Sequence, residues 1–509
     1  MESLDFLLAG FAQAVTPVNL LMVALGALIG TLVGVLPGLG PTSAIAILLP
    51  LTGVLPPTQA IIMLAGIYYG AMYGGSTTSI LLNIPGEVSS VPTCLDGYPL
   101  AQQGRGGPAL GVAAIGSFVA GSLSVVGLVF FAPVLAEQAL KFGPPEYLAL
   151  MVMSLTMVVN LAGNSIIKAL FMGLLGFLLS MVGLGPSTGV PRLDFGSSTL
   201  WGGLELISII IGLFAITEVI KGIEEKRVAI SPRQIGNVYP SSADLRQSSK
   251  AMLRGGVLGF FMGLLPGCSP AVTTFLAYDL EKKIAKNPER FGRGAIEGVA
   301  APEAANNSTS SAGFIPLLTL GIPASPPLAI LLGGLMIYGL TPGPILFQQN
   351  PDFVWTVIAS MFIGNLMLLV LNLPLVGLWA NVTRIPYGIM GPVILMLSVI
   401  GAYSVRNSLF DVSVAIVFGV LGYFFHKHHW PVVPLVLCFI LGPLFEQSLI
   451  QSMAMSGGNP LILLERPISA AILILSLALL ALSIKLKRRT KKRVIQEVGE
   501  AVDIAKCTG

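Results

Sequence analysis

The stretch Gly26-Ala27-Leu28-Ile29-Gly30-Thr31-Leu32-Val33-Gly34-Val35-Leu36-Pro37-Gly38-Leu39-Gly40-Pro41 has a counterpart 229 positions later (255 − 26). There the chain reads Gly255-Gly256-Val257-Leu258-Gly259-Phe260-Phe261-Met262-Gly263-Leu264-Leu265-Pro266-Gly267-Cys268-Ser269-Pro270. Glycines four apart, then Leu-Pro-Gly and a further proline, match without a gap. Both copies are apolar enough to sit in a membrane. A duplicated apolar segment broken by Pro-Gly marks a secondary transporter built from two repeats. Helix breaks at membrane depth free backbone N–H and C=O groups that lipid cannot satisfy, so they persist where protein, a cavity or a ligand does so.

Composition agrees. Hydrophobic residues make up 54% of 509 positions and charged residues 10%, with mean hydropathy +0.85. Soluble proteins carry about 25% charged residues, so an all-α polytopic membrane protein is expected. The longest polar stretch, 221–254, is too short to bury a core of its own. The net charge of +4 says little about nucleic acid, because the basic residues gather in loops and the tail. Cys94, Cys268, Cys438 and Cys507 have neither disulfide-like nor zinc-like spacing. The opening Met1-Glu2-Ser3-Leu4-Asp5 lacks the basic region of a signal peptide.

Basic residues mark cytoplasmic loops. Three clusters qualify: Lys221 to Arg254; Lys282, Lys283, Lys286, Arg290 and Arg293; and the tail from Lys485 to Arg493. The first two flank 255–278, which therefore reads as a re-entrant hairpin with arms of roughly 11 residues, each about 16 Å long. No Lys or Arg precedes Arg105, so both ends of hairpin 17–50 face outside. Five spans follow each hairpin: 59–84, 109–135, 146–160, 165–184 and 203–220, then 294–320, 324–340, 353–379, 387–404 and 409–425. An odd number inverts the second repeat. With 432–446 and 467–484 both crossing, the basic tail would lie outside, so the proline-punctuated 432–446 is expected to stop short. The reading is thus two inverted repeats with about 10–12 transmembrane helices. Repeat one occupies 1–220, a cytoplasmic linker 221–254, repeat two 255–425, additional membrane segments 426–484 and a basic cytoplasmic tail 485–509.

Downstream of each hairpin lies a second break. Repeat one has Gly74-Gly75-Ser76-Thr77-Thr78-Ser79 and then Asn83-Ile84-Pro85-Gly86. Repeat two has Asn306-Asn307-Ser308-Thr309-Ser310-Ser311 and then Gly321-Ile322-Pro323-Ala324. The Ser-Thr pairs align at an offset of 232 (308 − 76). Half-helix N-termini and hydroxyl or amide donors bind an anion without a fixed positive charge, while freed carbonyls suit sodium. The candidate substrate and ion site therefore takes Pro37, Gly38, Gly40, Thr42, Ser43, Gly75, Ser76, Thr77, Thr78 and Asn83 from repeat one. From repeat two it takes Pro266, Gly267, Ser269, Thr273, Asn306, Asn307, Ser308, Thr309 and Ser310. The glycine stripes have a simpler role as close helix-packing faces. Glu297 and Glu303 open the first long span of repeat two. Two readings stand for them: cation or proton coupling, or a place at the cytoplasmic mouth beside Arg293. Lys168, Glu205 and Glu218 read as snorkelling side chains. The tract His426-Lys427-His428-His429-Trp430 reads as an interfacial loop rather than a metal site, and no catalytic or metal-ligating set is expected.

At Gly34-Val35-Leu36-Pro37-Gly38-Leu39-Gly40-Pro41-Thr42-Ser43, followed by Tyr69-Gly70-Ala71-Met72-Tyr73-Gly74-Gly75-Ser76-Thr77-Thr78-Ser79-Ile80-Leu81-Leu82-Asn83-Ile84-Pro85-Gly86, the chain resembles the large membrane subunit of tripartite tricarboxylate transporters. The likeness runs from about residue 10 to 480. It implies a multi-pass carrier of the bacterial inner membrane, working with a small four-span membrane subunit and a periplasmic solute-binding protein. It further implies import of citrate or another carboxylate on a sodium or proton gradient, with no cofactor besides that coupling ion. No Gly-x-x-x-x-Gly-Lys-Ser/Thr loop occurs, as expected without an ATPase. Cys268-Ser269 replaces Leu39-Gly40 and Asn306-Asn307 replaces Gly74-Gly75, so the two halves need not bind alike. Intramembrane protease and prenyl transferase motifs are absent. A stand-alone organic-anion carrier and a channel are the alternatives.

Overall fold

A computed structural model describes residues 2–36, 40–157, 165–185, 189–224, 236–265, 268–382, 387–478 and 480–481. The chain is helical nearly throughout, and its one two-residue strand pair among the described residues joins Gly183–Leu184 antiparallel to Pro191–Arg192. Seven helices among the described residues are long and apolar enough to cross a bilayer, with shorter apolar helices between them. It is an all-α polytopic membrane protein.

Two units organise the interior. In the first, arm Pro17–Val35 breaks, returns as Pro41–Leu48, and leads into a core helix, Pro57–Leu82. A Cβ at Gly26, Gly30 or Gly34 would stand 2.4, 2.4 or 2.3 Å from the carbonyl oxygens of Met63, Ile67 and Ala71. The contacts step by four on both helices, so the arm runs parallel to the core helix with backbone against backbone. That closeness needs glycine, since lipid offers no hydrophobic drive between helices and packing must supply the attraction. The return arm brings Leu49 beside Gly334, where Ile61 also reaches. The hairpin therefore ends where it began.

The second unit repeats this. Arm Ser242–Gly263 returns as Pro270–Ile284, and the core helix is Glu297–Ala312 continued by Phe314–Leu320. Gly255, Gly259 and Gly263 face the carbonyls of Ala301, Ala305 and Thr309, and Tyr278 of the return arm reaches Gly298. The arms differ in length from the sequence expectation: 22 and 15 residues here, 19 and 8 in the first unit. The second unit's leading arm is longer because a reciprocal Ser241–Asp244 cap starts it well upstream of the apolar run.

The core helices cross antiparallel. Tyr69 packs on Phe314, with ring centroids 5.6 Å apart, and Ser76 Oγ donates to Glu303 Oε2 at 2.6 Å. Residue numbers fall on one helix as they rise on the other, so the hairpins open at opposite ends. Every residue from Ala60 to Leu81, and from Gly298 to Ala312, is buried. Neither helix faces lipid.

A bracing helix from each half locks onto the other half. Gly106–Ala139 lies along the second unit, where Ser124 Oγ donates to the Ser308 carbonyl at 2.8 Å. Pro351–Asn372 lies along the first, where Tyr73 OH donates to Asn365 Oδ1 at 2.9 Å. Helix Glu2–Ala14 covers Pro351–Asn372, with Gly10 against the Trp355 carbonyl.

The remaining expected spans appear as helices, among them Ile166–Ser180, Leu206–Glu224, Tyr387–Ser404 and Leu409–Lys427. One expectation needs correction. Helix Val433–Met455 runs 23 residues straight through Pro443, about 34 Å, which is long enough to cross. Pro434 sits in the first turn, where no N–H is needed, and Pro443 lies inside the helix without ending it. The linker 225–235, segment 158–164 and the tail from 482 lie outside the described residues. Lys168, Glu205 and Glu218 are all engaged: Lys168 Nζ donates to the His428 carbonyl, and the two acids pair with Arg406 and Lys221.

Opposed hairpins make a labelling prediction. Cysteines replacing Val54, which is 89% exposed, and Ala285 should react with impermeant reagent from opposite faces of sealed vesicles. Reaction of both from one face would rule out the opposed arrangement.

Candidate functional site

Asn83 ends the first core helix in the left-handed conformation, φ 59°, and Pro85 keeps the helix from restarting. Gly86 then fits where a Cβ would lie 2.4 Å from the Gly34 carbonyl and 2.6 Å from Gly75 Cα. This tight turn swings Glu87 inward over Gly75. The second core helix ends in the same way at Gly321, φ 70°, followed by Ile322-Pro323-Ala324-Ser325.

These ends set the true register between the halves. Asn83 matches Gly321 and Ala71 matches Thr309, an offset of 238 (321 − 83; 309 − 71). The Ser-Thr pairs, aligned at 232 by composition, are therefore not equivalent: Ser308 occupies the place of Gly70 and Thr309 that of Ala71. In that register two contacts become copies of each other. Tyr68 OH meets Ser325 Oγ at 3.1 Å, and Asn306 Nδ2 donates to Glu87 Oε1 at 3.2 Å. Residue 68 corresponds to 306 and 87 to 325. One copy is neutral and the other acidic.

Around the acidic copy the polar groups converge. Glu303, fully buried, accepts from Ser76 Oγ at 2.6 Å and Thr93 Oγ1 at 2.5 Å. Glu87 accepts from Ser89 Oγ at 2.5 Å besides Asn306. Asn307 Nδ2 donates to Ser117 Oγ at 2.7 Å and to the Glu303 carbonyl at 3.2 Å. A small cavity beside this cluster is lined by Tyr73, Ser76, Thr77, Ala114, Ser117 and Asn372.

The structure thus brings Gly75, Ser76, Thr77, Asn306 and Asn307 together. Other predicted residues serve packing. Ser308 Oγ donates to the Gly256 carbonyl and Thr309 Oγ1 to those of Gly259 and Ala305, tying the core helix to its own hairpin. Thr78 and Ser79 donate to the Gly75 carbonyl, and Ser310 to that of Asn306. Ser269 occupies the N-cap position of the return arm without a side-chain capping bond, and its carbonyl accepts from Thr273 Oγ1. Gly40 opens the first return arm in free space, with Thr42 half-buried and Ser43 buried behind it. Pro37, Gly38, Pro266 and Gly267 lie outside the described residues. Gly34 and Gly263, close to those breaks, face Ala71 and Thr309, the level at which the core helices cross. Both hairpins therefore extend to the crossing.

Glu297 and Glu303 separate. Glu297 opens the second core helix and bonds to Gln247 and Arg290 rather than Arg293, while Glu303 lies in the interior. Sequence reading missed Glu87 and Thr93. The signal available was an acidic residue directly after Ile84-Pro85-Gly86 in an otherwise uncharged stretch.

Residues 20–437 match the Tripartite tricarboxylate transporter TctA family. The chain belongs to that family. This TctA-family protein is 45% identical over 497 residues to an uncharacterized 52.8 kDa protein in the TAR-I ttuC' 3' region of Agrobacterium vitis, covering 97% of this chain and 98% of the relative. An uncharacterized protein in the TAR-II ttuC' 3' region of the same organism is 45% identical over 234 residues, 46% of this chain and 97% of the relative. No solved structure matches. Membership makes the TctA-family chain a transporter subunit of a tripartite system, with partner subunits and a binding protein.

Proposed function

We propose that this chain is the carrier of a bacterial inner-membrane system, moving a carboxylate inward on a sodium or proton gradient. A periplasmic binding protein delivers the substrate, and a small four-span subunit completes the membrane unit. The observation that carries this reading is the meeting of two oppositely directed hairpins at the polar crossing of two lipid-shielded core helices. Broken helices pointing at one central site from both ends are the arrangement typical of alternating-access carriers. Backbone N–H groups at the return-arm starts, beside Ser43 and Ser269, suit the substrate carboxylates. The crossing helices with their hairpins form the moving body, sliding past a scaffold that includes Val433–Met455 and Ile166–Ser180, which pack on each other.

Reconstitution of all three subunits tests it. Labelled carboxylate should accumulate above the external concentration only while a sodium or proton gradient exists, and collapse when both are dissipated. Accumulation without either gradient would overturn the coupling. Saturation of the flux distinguishes this carrier from a channel.

A further inference from the structure

Buried acids in this protein come with a counter-charge, with two exceptions among the described residues. Glu146 pairs with Arg466, Glu218 with Lys221, Asp244 with Arg105, Glu281 with Arg254 and Asp411 with Arg406. Asp96 instead accepts three backbone N–H bonds, from Gly292, Gly294 and Ala295. Glu303, with no exposed surface, has neither. It holds two neutral hydroxyls, and its neighbour across the Ser76 turn is a second acid, Glu87, which is partly buried and also without a basic partner. An unpaired carboxylate in a dry interior is strongly disfavoured in its charged form.

A second observation points the same way. Asn306 is fully buried, and its carbonyl oxygen Oδ1 has no hydrogen-bond partner. It belongs to the planar amide whose Nδ2 touches Glu87 Oε1, and it lies one helical turn from Glu303 on the same face. Two carboxylates, a free amide oxygen and the hydroxyls of Ser76, Ser89 and Thr93 make an all-oxygen donor set. The copy of this place in the other half, Tyr68 with Ser325, carries no acid.

We propose that Glu303, Glu87 and Asn306 hold the coupling cation, a monovalent ion that is either sodium or a proton. Glu87 is the side open to entry and Glu303 the dry end. The assignment rests on the cation-coupled reading above. The other titratable groups facing the pair are Tyr68 and Tyr73 from the first core helix and Cys94 from the Val91–Gln102 helix, whose ordinary forms near neutral pH are uncharged. A pH response of this place therefore belongs to the two acids.

The test uses the reconstituted complete transporter. Uptake is measured against sodium at fixed pH, and against pH without sodium, for the native chain and for Glu303→Gln, Glu87→Gln and Asn306→Ala. Dependence on sodium at constant pH identifies sodium, and dependence on pH alone identifies the proton. Glu303→Gln should abolish gradient-driven accumulation. Glu87→Gln and Asn306→Ala should raise the half-saturating cation concentration at least tenfold, or shift the pH midpoint by one unit or more. The purified native complex should gain thermal stability from the same cation, and Glu303→Gln should not respond. Should Glu303→Gln fail to fold, the other two variants decide. Native-like cation dependence in Glu87→Gln and Asn306→Ala overturns the assignment while leaving coupling intact. A native transporter indifferent to both gradients overturns the coupled reading and this site with it.

Discussion

Alanine at Gly30 is expected to remove most of the folded protein from the membrane, and leucine to remove all of it. The Cβ of the new residue would meet the Ile67 carbonyl oxygen at 2.4 Å, Ile67 Cα at 2.8 Å and Gly70 Cα at 2.9 Å. All three are backbone atoms of the core helix, so no side-chain rotation relieves the clash. The arm must move away, and the contacts at Gly26 and Gly34 are lost with it. Overpacking a core typically costs about 1–3 kcal/mol, and a rigid wall places this case at or beyond the upper end. Gly259→Ala should behave alike, since Ala305 O would stand 2.6 Å away. A methyl group added at Gly53 would have nothing within 4 Å, so Gly53→Ala serves as the matched control. Detergent-extracted yield and monodispersity on size exclusion measure the effect. A normal Gly30→Ala yield would show that the hairpin is not seated as described.

Asp96→Ala is expected to release the loop before the second core helix. Asp96, buried in helix Val91–Gln102, accepts from Tyr278 OH at 2.9 Å and from the N–H groups of Gly292, Gly294 and Ala295 at 2.8–2.9 Å. Gly292 and Gly294 adopt φ of 83° and 103°, conformations that let the loop wrap the carboxylate. An orphaned buried donor costs about 1–3 kcal/mol. Two of the four donors, Tyr278 OH and the Ala295 N–H, are buried, so the loss reaches roughly 2 kcal/mol at the low end, with a smaller share from the more exposed Gly292 and Gly294. Asparagine keeps an acceptor oxygen for the three amides, so Asp96→Asn should fall well short of that loss. The ordering native, asparagine, alanine should appear in thermal unfolding of the purified protein. Equal melting of native and alanine forms would dismiss the clamp.

How much of this is legible in the sequence depends on what each residue reports. Gly26, Gly30 and Gly34 with the Pro37-Gly38 break announce a hairpin because few other segments tolerate that composition in a membrane. The contrast between an Arg-free first flank and a basic second one predicts its inversion. Register is a different matter. Ser76-Thr77 and Ser308-Thr309 look alike as letters, yet which glycine meets which carbonyl decides equivalence, and that is a property of packed helices. Ser308 and Thr309 are recognisable as ties to the second hairpin only once the carbonyls of Gly256 and Gly259 are placed. Glu87 is hidden from a linear reading because its direction is set by the left-handed turn at Asn83, and the Asn306 it meets is 219 positions away. Val433–Met455 outruns its expected length because the helix continues past Pro443, which looks like a break in the sequence.

The copied contacts, Tyr68 with Ser325 and Glu87 with Asn306, bear on why such a chain is one polypeptide. In a symmetric dimer of identical halves, every substitution is made twice. An acid acquired at one contact would be acquired at both, doubling the buried charge. Joining the halves covalently lifts that constraint, so one contact can specialise while its twin stays neutral. Division of labour is thus a licence granted by the fusion itself, and the stretch joining helix Leu206–Glu224 to arm Ser242–Gly263 is the segment that confers it.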